Sequence, residues 1–129
     1  MTTNDLYDLA EANDICIYDF RLEGRKALAV PGAIALDTHR MTARDEKLIL
    51  AHEIGHCMTH TFYTAATPNV TLSRCETRAM KWAVKRLVDE NRLRAALARG
   101  YELWELADLF EVDEITIEQA INLYFYNHI

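Results

Sequence analysis

The chain has 129 residues, half of them hydrophobic and 9% aromatic, with a formal net charge of -6. That length and apolar content suit one core without staples, so residues 1–129 are expected to form a single domain. No run approaches the roughly 18 apolar residues of a membrane span, the opening MTTNDLYDLAEAND is polar and acidic, and Cys16, Cys57 and Cys75 make no disulfide framework; a cytoplasmic protein with reduced thiols and no membrane partner is the expectation.

In chain order, Asn4 is placed to cap a short helix over 5–12, with Leu6, Leu9 and Ala10 on one face. ICIYDFRL (15–22) is rich in β-branched and aromatic residues and reads as a strand. Glu23-Gly24 turns the chain into KALAV (26–30), and Pro31-Gly32 turns it again into AIALD (33–37), so a meander of three short strands is expected. A long helix follows from Thr42 to about His60, with Asp45 as the acid of a capping box. The threonine-rich stretch 61–72 reads as a loop, and Ser73 opens a second long helix over 74–88 that could extend to Arg99, with Gly100 as its stop. Two further helices are expected over 101–110 and about 113–125. The fold class is α+β: a small N-terminal antiparallel or mixed sheet packed on the first long helix, then a mainly helical C-terminal half.

That first long helix contains LILAHEIGHCMTH (48–60). Residues four apart on a helix stand one above the other, so His52 and His56 aim at a common point. Glu53 lies about 100° around the axis, near enough to reach a water held there. Two histidines that hold zinc and a glutamate that acts as general base are the chemistry of this H-E-x-x-H spacing. Leu48, Leu50, Ala51, Ile54 and Met58 make the segment apolar on most sides, which argues against a plain surface helix carrying polar residues. Gly55 is about 60° from His52 on the wheel, where a missing side chain lets another backbone approach.

A third ligand is needed. His60 lies eight residues from His52, about 12 Å of rise, too far to share an ion with both histidines. It is either a cleft residue or a helix-end histidine. Glu76 stands in the apolar stripe formed with Met80, Ala83 and Leu87, while Arg74, Arg78, Lys81 and Lys85 lie opposite. Burial of that carboxylate without compensation costs several kcal/mol, and a cation reverses the sign. Two other readings stay open here. Ser73-x-x-Glu76 is also a capping box, and Cys75 is a softer donor next door.

These motifs together resemble the ImmA/IrrE family of metallopeptidases. His52-Glu53-Ile54-Gly55-His56 fits the family's H-E-[LI]-G-H, His60 fits a histidine often found four residues later, and Glu76, Ala79, Trp82, Ala83, Leu87 and Val88 fit its downstream helix. Asp89 stands where the family usually has proline. The resemblance, over about residues 26–125, implies a zincin-like fold of the gluzincin type. It also implies a peptidase from a phage or mobile element that cleaves a separate repressor polypeptide.

The expected mechanism is peptide hydrolysis with one Zn2+ held by His52, His56 and Glu76, and Glu53 as general base. The oxyanion partner is open among His60, Tyr63 and His39. AIALD (33–37) is expected to offer an unpaired edge to an extended substrate. The second reading is a zinc-stabilised binding module that sequesters its partner without cutting it. DNA binding is excluded on charge. Residues 74–99 carry eight basic against three acidic residues, but 101–129 carry seven acids and no Arg or Lys, so the helix-turn-helix-like rhythm of 105–124 would repel phosphate. The aromatic end LYFYNHI (123–129) is expected to pack on the core or help hold the substrate.

Overall fold

The computed structural model describes residues 1–126. The chain divides into two compact units, Met1–Ala83 and Val84–Ile129, and the boundary falls inside one long helix.

The first unit opens with α1 (Thr3–Ala12), which buries Leu6 and Ala10. Its cap is Thr2, not Asn4: the Thr2 hydroxyl accepts from the Asp5 amide at 3.1 Å, and the Asp5 carboxylate accepts from the Thr2 amide at 2.8 Å. Reciprocal satisfaction of two free amides outcompetes a lone asparagine two residues further on.

Three strands follow, β1 (Cys16–Asp19), β2 (Ala27–Val30) and β3 (Ala33–Leu36). The expected meander is corrected to a mixed sheet of order β1-β3-β2, with β3 antiparallel to β2 and parallel to β1. The reason lies in the connections. Pro31-Gly32, with Gly32 at φ 78°, makes a tight hairpin of β2 and β3. The longer 20–26 segment carries the chain past the place that β3 later fills. Ile34 and Leu36, each 1% exposed, form the buried face of the centre strand.

After a short 3-10 helix (Thr38–Arg40), α2 (Ala43–Thr59) begins at the expected capping box of Thr42 and Asp45 and packs on α1, β2 and β3. It ends at His60 in the left-handed conformation, φ 54°. Next, α3 (Asn69–Leu87) starts four residues ahead of Ser73. Pro68 is suited to a helix entry, and its carbonyl already accepts from the Leu72 amide at 2.9 Å. Glu76 therefore lies within the helix and does not cap it.

The second unit takes up the end of α3. The helix does not run on to Arg99: Asp89 accepts from the Arg92 amide at 2.9 Å and starts a separate α4 (Glu90–Ala98), which closes at Gly100, φ 82°. Then α5 (Leu103–Phe110) and α6 (Glu114–Ile121) pack together, and a π-helical turn covers Asn122–Tyr126. Leu93, Leu106, Val112 and Ile117 are fully buried here. From the aromatic end, the Tyr124 hydroxyl donates to the Val88 carbonyl at 2.7 Å; residues 127–129 of that stretch lie outside the described residues. No helix among the described residues is long and apolar enough to cross a membrane.

Candidate metal centre and cleft

The site lies within the first unit, where α3 crosses α2 at Gly55. A Cβ at that position would stand 2.6 Å from the Ala79 carbonyl oxygen. The missing side chain lets the two helices approach closely, and Glu76, about one turn before Ala79, comes level with the two histidines.

His52 Nε2 is 2.7 Å from Glu76 Oε2, and His56 Nε2 is 3.2 Å from Glu76 Oε1. One ligand atom from each of the three residues can be chosen so that all lie within 4.8 Å of one another. The imidazoles meet edge to face, 4.8 Å between ring centres. His56 is buried, whereas His52 and Glu76 are about one-third exposed, at 31% and 35% of their side-chain area. The group is therefore reachable from solvent on one side.

His56 is also oriented from behind. Its Nδ1 donates to the Thr61 carbonyl at 2.7 Å and lies 3.2 Å from the Thr61 hydroxyl. A proton held on Nδ1 leaves the Nε2 lone pair for a cation, the usual partner arrangement behind a ligating histidine. The left-handed turn at His60 folds Thr61 back to this position, and the Thr59 hydroxyl ties the turn down by donating to the Gly55 carbonyl at 2.7 Å. Two imidazole nitrogens and a carboxylate are a donor set that suits zinc and its neighbours, so the residues present fit a divalent ion.

Glu53 stays outside the donor group. Its carboxylate sits beside His56 in a cavity of about 270 Å³. Burial holds its pKa above the ordinary glutamate value, against the pull of His52 and His56. Glu76 moves the other way. Burial alone would raise it, but the Tyr63 hydroxyl and His52 outweigh burial and leave its carboxyl below the ordinary value. The two carboxylates are thus driven in opposite directions by their surroundings.

Of the three residues named as oxyanion candidates, only Tyr63 stands at the site. Its hydroxyl donates to Glu76 Oε1, its ring meets His56 edge to face at 5.7 Å, and it lines the same cavity as Glu53. The Glu76 bond and burial push its pKa up to about 12. Of the two readings of His60, its position matches the helix-end one: it is exposed and borders a different cavity, beside Cys57 and Phe62. His39 is also elsewhere, in the 3-10 helix, where the Arg21 guanidinium contacts both ring nitrogens. Cys75 is buried and outside the donor group, while the Cys57 thiol points to the Val30 carbonyl, 3.7 Å away.

The edge facing the cleft is also corrected. Since β3 is paired on both sides, 33–37 has no free edge. The strand at the cleft is β2, an outer strand, with Ala27, Leu28 and Ala29 along the cavity that holds Glu53 and His56. Thr61 went unnoticed in the sequence, and Ala79 was named there only for its fit to the family's helix, because both act through backbone carbonyls, which leave no trace in residue type.

Comparison with known proteins agrees with this geometry. The family model described as the IrrE N-terminal-like domain of peptidases matches residues 13–122. No curated protein and no solved structure gave a significant match. The matched segment covers both ligand helices, Glu53 and the sheet, and the chain belongs to the IrrE N-terminal-like peptidase family.

Proposed function

We propose that the chain is a zinc-dependent endopeptidase that cuts a protein substrate, with His52, His56 and Glu76 as ligands and Glu53 as general base. The observation that carries this reading is the convergence of His52 Nε2 and His56 Nε2 on the two oxygens of Glu76, at 2.7 and 3.2 Å. Only three donors converge among the described residues, which leaves room for water and substrate, whereas structural zinc sites close with four protein ligands.

A divalent cation held there supplies Lewis acidity that polarises a carbonyl and lowers the pKa of water towards about 7. Glu53, beside His56 in the cleft, takes the proton of the attacking water on its carboxylate and passes it to the leaving amine nitrogen. Thr61 keeps the His56 proton on Nδ1. The outer edge of β2 offers free backbone groups to an extended peptide, which would lie along it as an added strand. Tyr63 is the donor we assign to the developing oxyanion, and its position in the lining of the cavity that holds Glu53 supports this.

The substrate we propose is a separate repressor polypeptide of a phage or mobile element, cut in the cytoplasm; the family resemblance supports this, as do three free cysteines. The reading includes no nucleic-acid partner; exposed Glu114 and Glu118 on α6, which would repel phosphate, support it. The test is incubation of the zinc-loaded protein with a candidate repressor polypeptide from the same phage or mobile element. Fragments from wild type and an intact repressor from Glu53→Gln support the proposal. A stable complex with no fragments from either would make the chain a binding module.

A further inference from the structure

The cavity beside Glu53 continues into a second one of about 620 Å³ along the edge of β2 towards Thr64 and Leu72. Leu28, Ala29, Phe62 and Tyr63 border both, so the two form one groove. Its walls are apolar or neutral with few exceptions. His56 and Glu53 belong to the site itself. The remaining charged residue lining both cavities, among the described residues, is Arg25.

Arg25 is held from its backbone, while its side chain is exposed. Its carbonyl accepts from Arg40 Nη1 at 3.0 Å, and the same guanidinium nitrogen reaches the Leu22 carbonyl at 3.2 Å. Asp37, buried at 1% exposure, accepts from the Leu22 amide at 3.0 Å and donates its own amide to the Lys26 carbonyl at 2.8 Å. The turn at Gly24 is therefore tied on both sides of Arg25. Arg25 stands two residues before β2 and lines both cavities together with Leu28 and Ala29 of that strand. Arg25 lines the same cavity as Glu53, His56 and Tyr63, which places it at the reacting centre's end of the groove. No carboxylate of the described residues pairs with its guanidinium. A cation on an anchored turn, beside a groove whose other lining side chains outside the Glu53–His56 site are neutral, favours an anionic guest and disfavours a cationic one.

We propose that Arg25 determines specificity by binding the side-chain carboxylate of a substrate aspartate or glutamate within about two residues of the scissile bond, the span that an arginine side chain can cover at 3.3 Å per strand residue. The proposal rests on the peptidase reading for its biological meaning, but binding can be read without cleavage.

The experiment uses zinc-loaded Glu53→Gln protein and two fluorescent apolar octapeptides, blocked at both ends, one with a central glutamate and one with glutamine. Fluorescence anisotropy at low salt should show the glutamate peptide bound about tenfold more tightly, the scale of a charge-assisted contact partly screened by water. The preference should shrink with added salt and vanish when Arg25→Gln is added. Equal affinity for the two peptides, no binding of either, or a preference that survives Arg25→Gln would overturn the proposal. In parallel, wild type and Arg25→Glu are given the same mixture of proteome-derived peptides, and cut sites are read by mass spectrometry. Enrichment of Asp and Glu near wild-type cuts that turns to Lys and Arg in Arg25→Glu supports it, and identical profiles overturn it. No cutting by wild type, with the binding preference intact, would count against the peptidase reading and leave Arg25 as a carboxylate-binding residue.

Discussion

The Cβ that Gly55 lacks would stand 2.6 Å from the carbonyl oxygen of Ala79, on the neighbouring helix. Both partners in that contact are backbone, so neither can swing aside as a side-chain tip would. The glycine, which lies between Glu53 and His56 on α2, sets the distance at which Glu76 meets the histidines.

Gly55→Ala should therefore reverse its usual sign. Alanine is favoured over glycine in a helix interior by about 1 kcal/mol, yet here it should lower the melting temperature and weaken zinc binding by about tenfold or more, as for a disturbed ligand support. Calorimetric zinc titration of folded protein checks this. Unchanged affinity would show that the close helix crossing does not position Glu76.

Tyr63→Phe should separate two uses of one hydroxyl. Loss of a hydrogen bond to the carboxylate proposed as a ligand should reduce zinc affinity by about tenfold to a hundredfold. Loss of an oxyanion donor should lower kcat by about a hundredfold or more. Measurement of both on the same preparation decides it, and an unchanged kcat would remove Tyr63 from the chemistry.

Thr42→Ala removes half of the capping box that starts α2 and should cost about 1 kcal/mol in denaturant unfolding. The Asp45 carboxyl is held below its ordinary value by its bonds to the Thr42 amide and hydroxyl. For a carboxylate with depressed pKa, the contribution is present above the unfolded-state pKa and fades as pH falls through the folded-state value. The difference between wild type and Thr42→Ala should thus narrow on acidification through the carboxylate range. A gap that widened would contradict the cap.

Thiol alkylation at neutral pH should mark Cys16 first. Cys57 is buried, its thiol pushed up to about 11 by that burial, and Cys75 is buried too, whereas Cys16 is exposed. Thiolate is the reactive form, so mass spectrometry of briefly treated native protein should find one adduct. Modification of Cys57 at a matching rate would mean that α2 opens readily.

Much of the site was legible from residue type and spacing. His52, Glu53 and His56 are fixed relative to one another by helix geometry alone, and Glu76 was marked by its place in an apolar stripe. What stayed hidden was carried by backbone or by choice of partner. The Thr61 carbonyl orients His56, and no sequence pattern announces a carbonyl. Strand order is another case: three short strands with good turns suit a meander as well as β1-β3-β2, and local propensity cannot tell which strand becomes central. That ambiguity put the free edge on 33–37, when β2 holds it. The start of α3 at Asn69 was concealed by threonines that usually mark loops, and Asp89, which departs from the family's proline, caps α4.

The central claim is that side chains from α2 and α3 hold a single divalent cation. It is tested most directly by anomalous scattering at the zinc edge from crystals of zinc-loaded protein. The account predicts one strong peak about 2 Å from His52 Nε2, from His56 Nε2 and from an oxygen of Glu76. A peak bonded to other residues, or no peak between these helices, would contradict it.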